Sequence, residues 1–120
     1  MSKKTPRVLF YAQCGTCKKA LKWLDARGVR YELRPIVEQP PTQKELAAWV
    51  PASGKSVRKW LNTSGQSYRA LGKAAIDAMT DADLVKALSA DGKLVKRPVV
   101  VLDDKVLVGF DEDAYAEVFG

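Results

Sequence analysis

The chain has 120 residues, 47% hydrophobic and 28% charged, with a net charge of +6, two cysteines and no histidine. That length suits one domain with one real core, and the composition excludes collagen-like, coiled-coil, membrane-spanning and disordered classes. Without histidine there is no Ser-His-Asp or Cys-His machinery, and two cysteines make neither a four-cysteine zinc site nor a disulfide framework, so no metal is expected. In chain order, Arg7 to Ala12 is a short apolar run rich in β-formers and predicts a strand. Cys17, Ala20, Leu21 and Leu24 then fall at helical spacing, and Gly28 is a helix stop. Val29 to Leu33 alternates and predicts a second strand, completing a βαβ unit.

Pro35, Pro40 and Pro41 break the chain, and Thr42 with Glu45 forms a capping box for a helix ended by Pro51 to Gly54. A short helix with Val57, Trp60 and Leu61 inward follows, then a loop at Asn62 to Gly65 and a helical turn near Tyr68 and Leu71. Thr80 with Asp83 opens another helix, closed by Asp91-Gly92. Pro98 to Leu102 and Lys105 to Val108 predict a hairpin turned by Asp103-Asp104, and Asp111 can cap a final helix. Trp23, Trp49 and Trp60 lie among apolar neighbours in predicted helices and are expected to pack rather than bind a ligand.

A βαβ unit and a ββα unit around one sheet follow the thioredoxin-like plan. The expected fold is α/β, a four-stranded mixed sheet with a helical insertion between its halves. The core covers about 6–41 and 91–120 and the insertion about 42–90, in a single domain of 1–120.

Cys14-Gly15-Thr16-Cys17 stands between the first strand and the first helix, the setting of a redox C-x-x-C. A helix N-terminus presents unpaired N–H groups and the positive end of its dipole, which favour thiolate over thiol. Lys18 and Lys19 add positive potential, so Cys14 can be a nucleophile without a histidine base. Gly15 leaves room for a substrate, and Cys17, one turn on, suits the resolving role. The alternative is that the two cysteines are ordinary small hydrophobes in a helix. Arg97 and Pro98 precede the third strand, where thioredoxin-like proteins carry a proline, usually cis, facing the active cysteine. Arg97 is then an anion clamp, and the alternative is a solvated arginine beside a trans proline opening a strand.

Residues 1–44 carry ten Lys/Arg against three Asp/Glu, and no acidic residue lies between Glu45 and Asp77. This basic front either suits an anionic partner or only keeps the surface soluble. No segment reads as a signal peptide or spanning helix, so a cytoplasmic protein free of the membrane is expected.

The run C-G-T-C-K-K-A-x-x-W-L from Cys14, L-N-T-S-G at Leu61 to Gly65, the following Y-R-x-L-G, and K-R-P-V-V-V…V-G-F from Lys96 to Phe110 resemble the arsenate reductase (ArsC)/Spx/MgsR family. The resemblance spans nearly the whole chain. It implies a thiol–disulfide oxidoreductase of arsenate-reductase-like type, with catalytic Cys14, Cys17 and Arg97. Gly15, Thr16, Lys18, Asn62 and Pro98 would then lie on the substrate side. It further implies no bound cofactor, glutathione as co-substrate, and glutaredoxin or thioredoxin as electron donor to a monomer. The glutaredoxin-linked reductases use three arginines and a serine where Cys17 stands. Arg97 matches one arginine, Asn62 occupies the place of another, Val106 to Phe110 holds none, and Arg58 and Arg69 are the candidate substitutes. Spx-type regulators share the cysteine pair and bind the C-terminal domain of the RNA polymerase α subunit. Gly54 is the nearest match to the glycine involved there, which makes a redox-sensing regulator without direct nucleic-acid contact the alternative.

Overall fold

A computed structural model describes residues 5–119; Lys3 and Lys4 of the basic front lie outside them. Four strands, β1 (Arg7–Phe10), β2 (Glu32–Pro35), β3 (Val99–Val101) and β4 (Val106–Val108), form one sheet in the order β2-β1-β3-β4. β1 and β2 are parallel, while β1–β3 and β3–β4 are antiparallel. Helix α1 (Gly15–Ala26) crosses over between β1 and β2, and α6 (Glu112–Phe119) follows β4. Between β2 and β3 the chain builds α2 (Gln43–Ser53), a 3-10 turn (Val57–Trp60), α3 (Gln66–Leu71), α4 (Lys73–Asp77), α5 (Asp81–Ala90) and a second 3-10 turn (Gly92–Leu94). This is the thioredoxin-like arrangement.

Strand alternation sorts the apolar residues onto two faces. Val8, Val100 and Leu107 pack with Ala20, Trp23 and Leu24 of α1 and Tyr115 of α6. Leu9, Val99, Val106 and Val108 pack with Leu46, Trp49, Trp60, Leu84 and Leu88 from the helices between β2 and β3. All three tryptophans are buried, as their apolar neighbours predict. Both capping boxes form, Thr42 with Glu45 and Thr80 with Asp83. Asp111 accepts from the Asp113 N–H at 3.0 Å, capping α6.

Three local details differ from the sequence reading. The second strand starts at Glu32 rather than Val29, because the Val29 N–H turns back to the Leu24 carbonyl (3.1 Å) around Gly28 at φ +69°. Pairing can begin only when Glu32 N–H reaches the Pro6 carbonyl at 2.8 Å. Helix α2 runs through Pro51 and ends at Gly54, whose φ of +71° is the left-handed stop. The short helix α4 carries no apolar repeat long enough to be seen in sequence.

Arg34 of β2 ties the proline-rich connection to α2. It forks onto Glu45 at 2.8 and 2.9 Å and donates to the Gln39 and Pro40 carbonyls at 3.0 and 2.8 Å. The side-chain hydrogen bond from Arg34 holds the Glu45 carboxyl below its usual range, against the opposing effect of burial. A lowered folded-state value stabilises the fold above the ordinary carboxylate pKa, and that stability is lost as pH falls through the folded value. An Arg34→Ala/Glu45→Ala double-mutant cycle in denaturant is expected to give a coupling of about 1 kcal/mol at neutral pH, near the upper end for partly exposed pairs. The coupling should vanish in acid; a pH-independent coupling would remove the ion pair as its source.

Candidate active site

Beyond β1, Tyr11 to Gln13 turn the chain into α1, with Cys14 as its N-cap. The Cys14 N–H donates to the Tyr11 carbonyl at 2.9 Å, and the Lys18 N–H to the Cys14 carbonyl at 3.1 Å. The Cys14 sulfur makes no ordinary side-chain cap bond. Burial pushes its thiol up, but the Cys17 backbone N–H, the Cys17 thiol and the Arg97 guanidinium outweigh that and bring it below the ordinary cysteine value. Cys14 is half-buried, whereas Cys17 is buried, at 1% exposure. Burial first, then the neighbouring Cys14, pushes the Cys17 thiol up to about 12. Both cysteines are free thiols. The pair is therefore divided electrically: the surroundings shift one sulfur toward the thiolate and make the other hold its proton.

Arg97 reaches the pair from the loop before β3, and the Arg97–Pro98 peptide is cis. The guanidinium carbon stands 4.9 Å from the Tyr11 ring centroid. Its Nη1 donates to the Lys93 carbonyl at 3.4 Å, and its buried Nε has no hydrogen-bond partner. Asn62 joins this network from the other side. Its backbone N–H bonds the Leu94 carbonyl at 2.8 Å, and its Nδ2 donates to the same Lys93 carbonyl at 3.4 Å. One carbonyl thus links the Leu61–Gly65 loop to Arg97.

The remaining sequence-derived residues divide. Gly15 and Thr16 are exposed beside Cys14, and a Cβ on Gly15 would meet nothing within 4 Å, so this side is open to a substrate. Pro98 is buried, and its carbonyl accepts from the Gly109 N–H at 2.8 Å. Lys18 is exposed, and the charged group acting on Cys14 is Arg97. Gly54 lies apart from this cluster, exposed at the end of α2. Arg58 and Arg69 are committed elsewhere. Arg58 donates to the Ile76 and Met79 carbonyls at 3.3 and 2.5 Å, and Arg69 to the Ser64 carbonyl at 3.1 Å. The residue missed by sequence reasoning is Tyr11, which reads as one more β-former.

An open cleft of about 430 Å³ lies at the opposite end of β1, lined by Thr5, Arg7, Glu32, Trp49 and the β3 end around Asp103. It shares no residue with the cysteine cluster. No described helix is long and apolar enough to cross a membrane.

A cysteine pair at the N-terminus of the first helix, with a cis proline before the third strand, defines a thioredoxin-like protein with a C-x-x-C site. More narrowly, the chain belongs to the ArsC family, whose model matches residues 9–118. It is 42% identical to YusI of Bacillus subtilis over 109 residues, covering 90% of this chain and 92% of that protein. It is 27% identical to the regulatory protein MgsR of the same bacterium over 101 residues, covering 84% and 79%. Among solved structures, an ArsC family related protein from Bacteroides fragilis superposes with a TM-score of 0.92 at 41% identity, covering 98% of this chain and 99% of that one. A structure from Streptococcus mutans described as a possible arsenate reductase gives 0.84 at 34% identity, covering 95% and 97%.

Proposed function

We propose that the protein is a dithiol reductase in which Cys14 attacks and Cys17 resolves. The observation that carries this reading is the opposed pair of thiols, Cys14 brought down and half-buried, Cys17 pushed up and buried one helical turn away. The Cys14 thiolate attacks one sulfur of a substrate disulfide, forming a mixed disulfide and releasing the other sulfur as a thiolate that takes up a proton. Cys17 then loses its proton to solvent or to the departing sulfur and attacks Cys14. The second substrate sulfur leaves as a thiol, and the two electrons that the substrate's two sulfurs have gained leave Cys14–Cys17 oxidised to a disulfide. An external thiol, glutathione or a glutaredoxin or thioredoxin dithiol, restores the pair by the same exchange in reverse.

The order of events follows from what holds Cys17 protonated. After burial, the Cys14 sulfur is the largest raising influence on Cys17, through a hydrogen bond and its charge. Once Cys14 is tied up in a mixed disulfide, that influence ends. The Tyr11 N–H, 3.5 Å from Cys17 Sγ, and Arg97 still favour a thiolate there. Cys17 is thus a poor nucleophile before Cys14 reacts and a better one afterwards.

Arsenate fits the same site as a two-electron acceptor, yielding arsenite, water and the Cys14–Cys17 disulfide. Arg97 is then the guanidinium at the oxyanion, while Arg58 and Arg69 hold backbone carbonyls. This supports a disulfide as the preferred substrate. The test is the alkylation rate of Cys14 against pH in a Cys17→Ser background, alongside turnover of a disulfide and of arsenate with each reductant. The expected midpoint lies below the ordinary cysteine value of about 8.5, with turnover of the disulfide exceeding that of arsenate. An ordinary midpoint with no turnover of either substrate overturns the reading.

A second reading, a redox-responsive partner of the C-terminal domain of the RNA polymerase α subunit, is favoured by the likeness to MgsR and by exposed Gly54, flanked by exposed Lys55 and Ser56. Retention of that domain by one redox form, lost in Gly54→Arg, would support it; no retention by either form would remove it.

A further inference from the structure

Tyr11 touches both cysteines and Arg97. Its carbonyl accepts from the Cys14 N–H at 2.9 Å, and its own N–H faces Cys17 Sγ at 3.5 Å. Those contacts are made by backbone and survive a change of side chain. The ring does something separate. It is half-buried against the helical core and carries the Arg97 guanidinium at 4.9 Å, with Lys93 Nζ at 5.9 Å from the same ring. The phenol hydroxyl donates to Gln13 Oε1 at 3.2 Å.

Arg97 has little else to hold it. Apart from the Cys14 sulfur it acts on, its side chain has the 3.4 Å contact to the Lys93 carbonyl, and its buried Nε has no hydrogen-bond partner. A long, flexible cation so lightly tethered would ordinarily swing into solvent, where it is better hydrated. An aromatic face within about 6 Å offers an electrostatic seat that costs the guanidinium none of its donors. Those donors stay available for the Cys14 sulfur or for an anion bound beside it.

We propose that Tyr11 is a positioning residue, its aromatic face seating Arg97 against Cys14 so that the guanidinium donors not held by the Lys93 carbonyl remain for the thiolate and the substrate. The inference rests on the reading of Cys14 as the reacting thiol. The groups acting on Cys14 are Cys17 from α1 and Arg97 from the loop before β3, and Lys93 from the second 3-10 turn faces Tyr11 rather than the sulfur. The ring therefore acts on Cys14 through Arg97.

The experiment is the pH dependence of Cys14 alkylation in the full chain, in a Cys17→Ser background, for the parent, Tyr11→Phe, Tyr11→Leu and Arg97→Gln. Tyr11→Phe keeps the ring and loses only the hydroxyl, so its midpoint should match the parent. Tyr11→Leu keeps an apolar side chain without a π face. Its midpoint should rise by about 0.5 pH, roughly a threefold loss of thiolate on the acid side. Added to Arg97→Gln, Tyr11→Leu should raise it no further. Should Tyr11→Leu fail to fold by circular dichroism, Tyr11→Met supplies the ring-free side chain. A parent midpoint below the ordinary value that does not move in the ring-free variant overturns the inference and leaves the reading of Cys14 intact. An equal further rise in the Arg97→Gln background, or a rise in Tyr11→Phe as large as in Tyr11→Leu, also overturns it. A parent midpoint at the ordinary cysteine value sinks the reading of Cys14 and the inference with it.

Discussion

Replacing Cys14 by serine is expected to abolish disulfide reduction, with turnover falling on the order of 10³-fold or more, because no other described thiol can take the first step. Cys17→Ser should fail differently. Its first exchange proceeds, so the protein accumulates as a mixed disulfide on Cys14, visible as one added half-substrate by mass spectrometry. Thioredoxin-coupled turnover should be lost while glutathione-coupled turnover partly survives, since free glutathione can attack the mixed disulfide from the open side of Cys14 beside Gly15. The wild-type protein exposed to mild peroxide should instead lose two hydrogens and offer no thiols to alkylation. The pH dependence has a fixed sign. The Cys14 value is lowered, so activity should fall tenfold per pH below its midpoint and level off above it. Cys17, at about 12, should add no inflection near neutrality. Cys17→Ser protein that never forms a mixed disulfide would show that the two sulfurs do not act in this order.

The largest structural effect is expected at Gly92, where α5 gives way to the second 3-10 turn. A Cβ there would run into the backbone carbonyl of Ile36, with the Ile36 carbonyl carbon 2.7 Å and the Val37 Cα 3.1 Å away. The obstruction is backbone, just after β2, so no side chain can rotate aside. Gly92→Ala should cost about 3 kcal/mol or more, a drop of roughly 10–15 °C in melting temperature for a domain of this size. The Lys93 carbonyl one residue on holds both Asn62 and Arg97. Residual folded protein should therefore also show a raised Cys14 midpoint. Chemical denaturation with alkylation of the folded fraction reads both. By contrast, Gly15→Ala has clear space around it and should leave stability within about 0.5 kcal/mol. A melting temperature unchanged in Gly92→Ala would mean that the β2 connection and the turn can part without loss.

Much of this molecule is legible from short-range pattern. The Thr42/Glu45 and Thr80/Asp83 boxes, the Val-rich hairpin and the switch from strand to helix at Cys14 each involve residues within a few positions of one another. Local hydrogen bonding decides such features, so their signals are in the sequence. The start of β2 is harder, because the Val29-to-Leu33 alternation competes with a helix cap that recruits the Val29 N–H. Gly92 reads as an ordinary helix stop, and only the approach of Ile36, from the far side of the helical insertion, makes it obligatory.

The site shows the same division. The spacing of Cys14 and Cys17, and their place at a helix start, follow from the sequence alone because the helix brings its own N–H groups and dipole to them. Arg97 and Pro98 are recognisable as candidates by their place before the third strand. Three things belong to the folded chain. The cis form of Arg97–Pro98 is one. The commitment of Arg58 and Arg69 to backbone carbonyls, which leaves Arg97 as the guanidinium acting on Cys14, is another. The third is the seating of Arg97 on Tyr11. The pairing of β1 with β3 brings these residues together from distant parts of the chain, Leu9 lying opposite Val99 just before Tyr11 and just after Arg97. The Cys14 thiol is thus placed by neighbours in sequence, and its tuning comes from a cation that only long-range sheet pairing delivers.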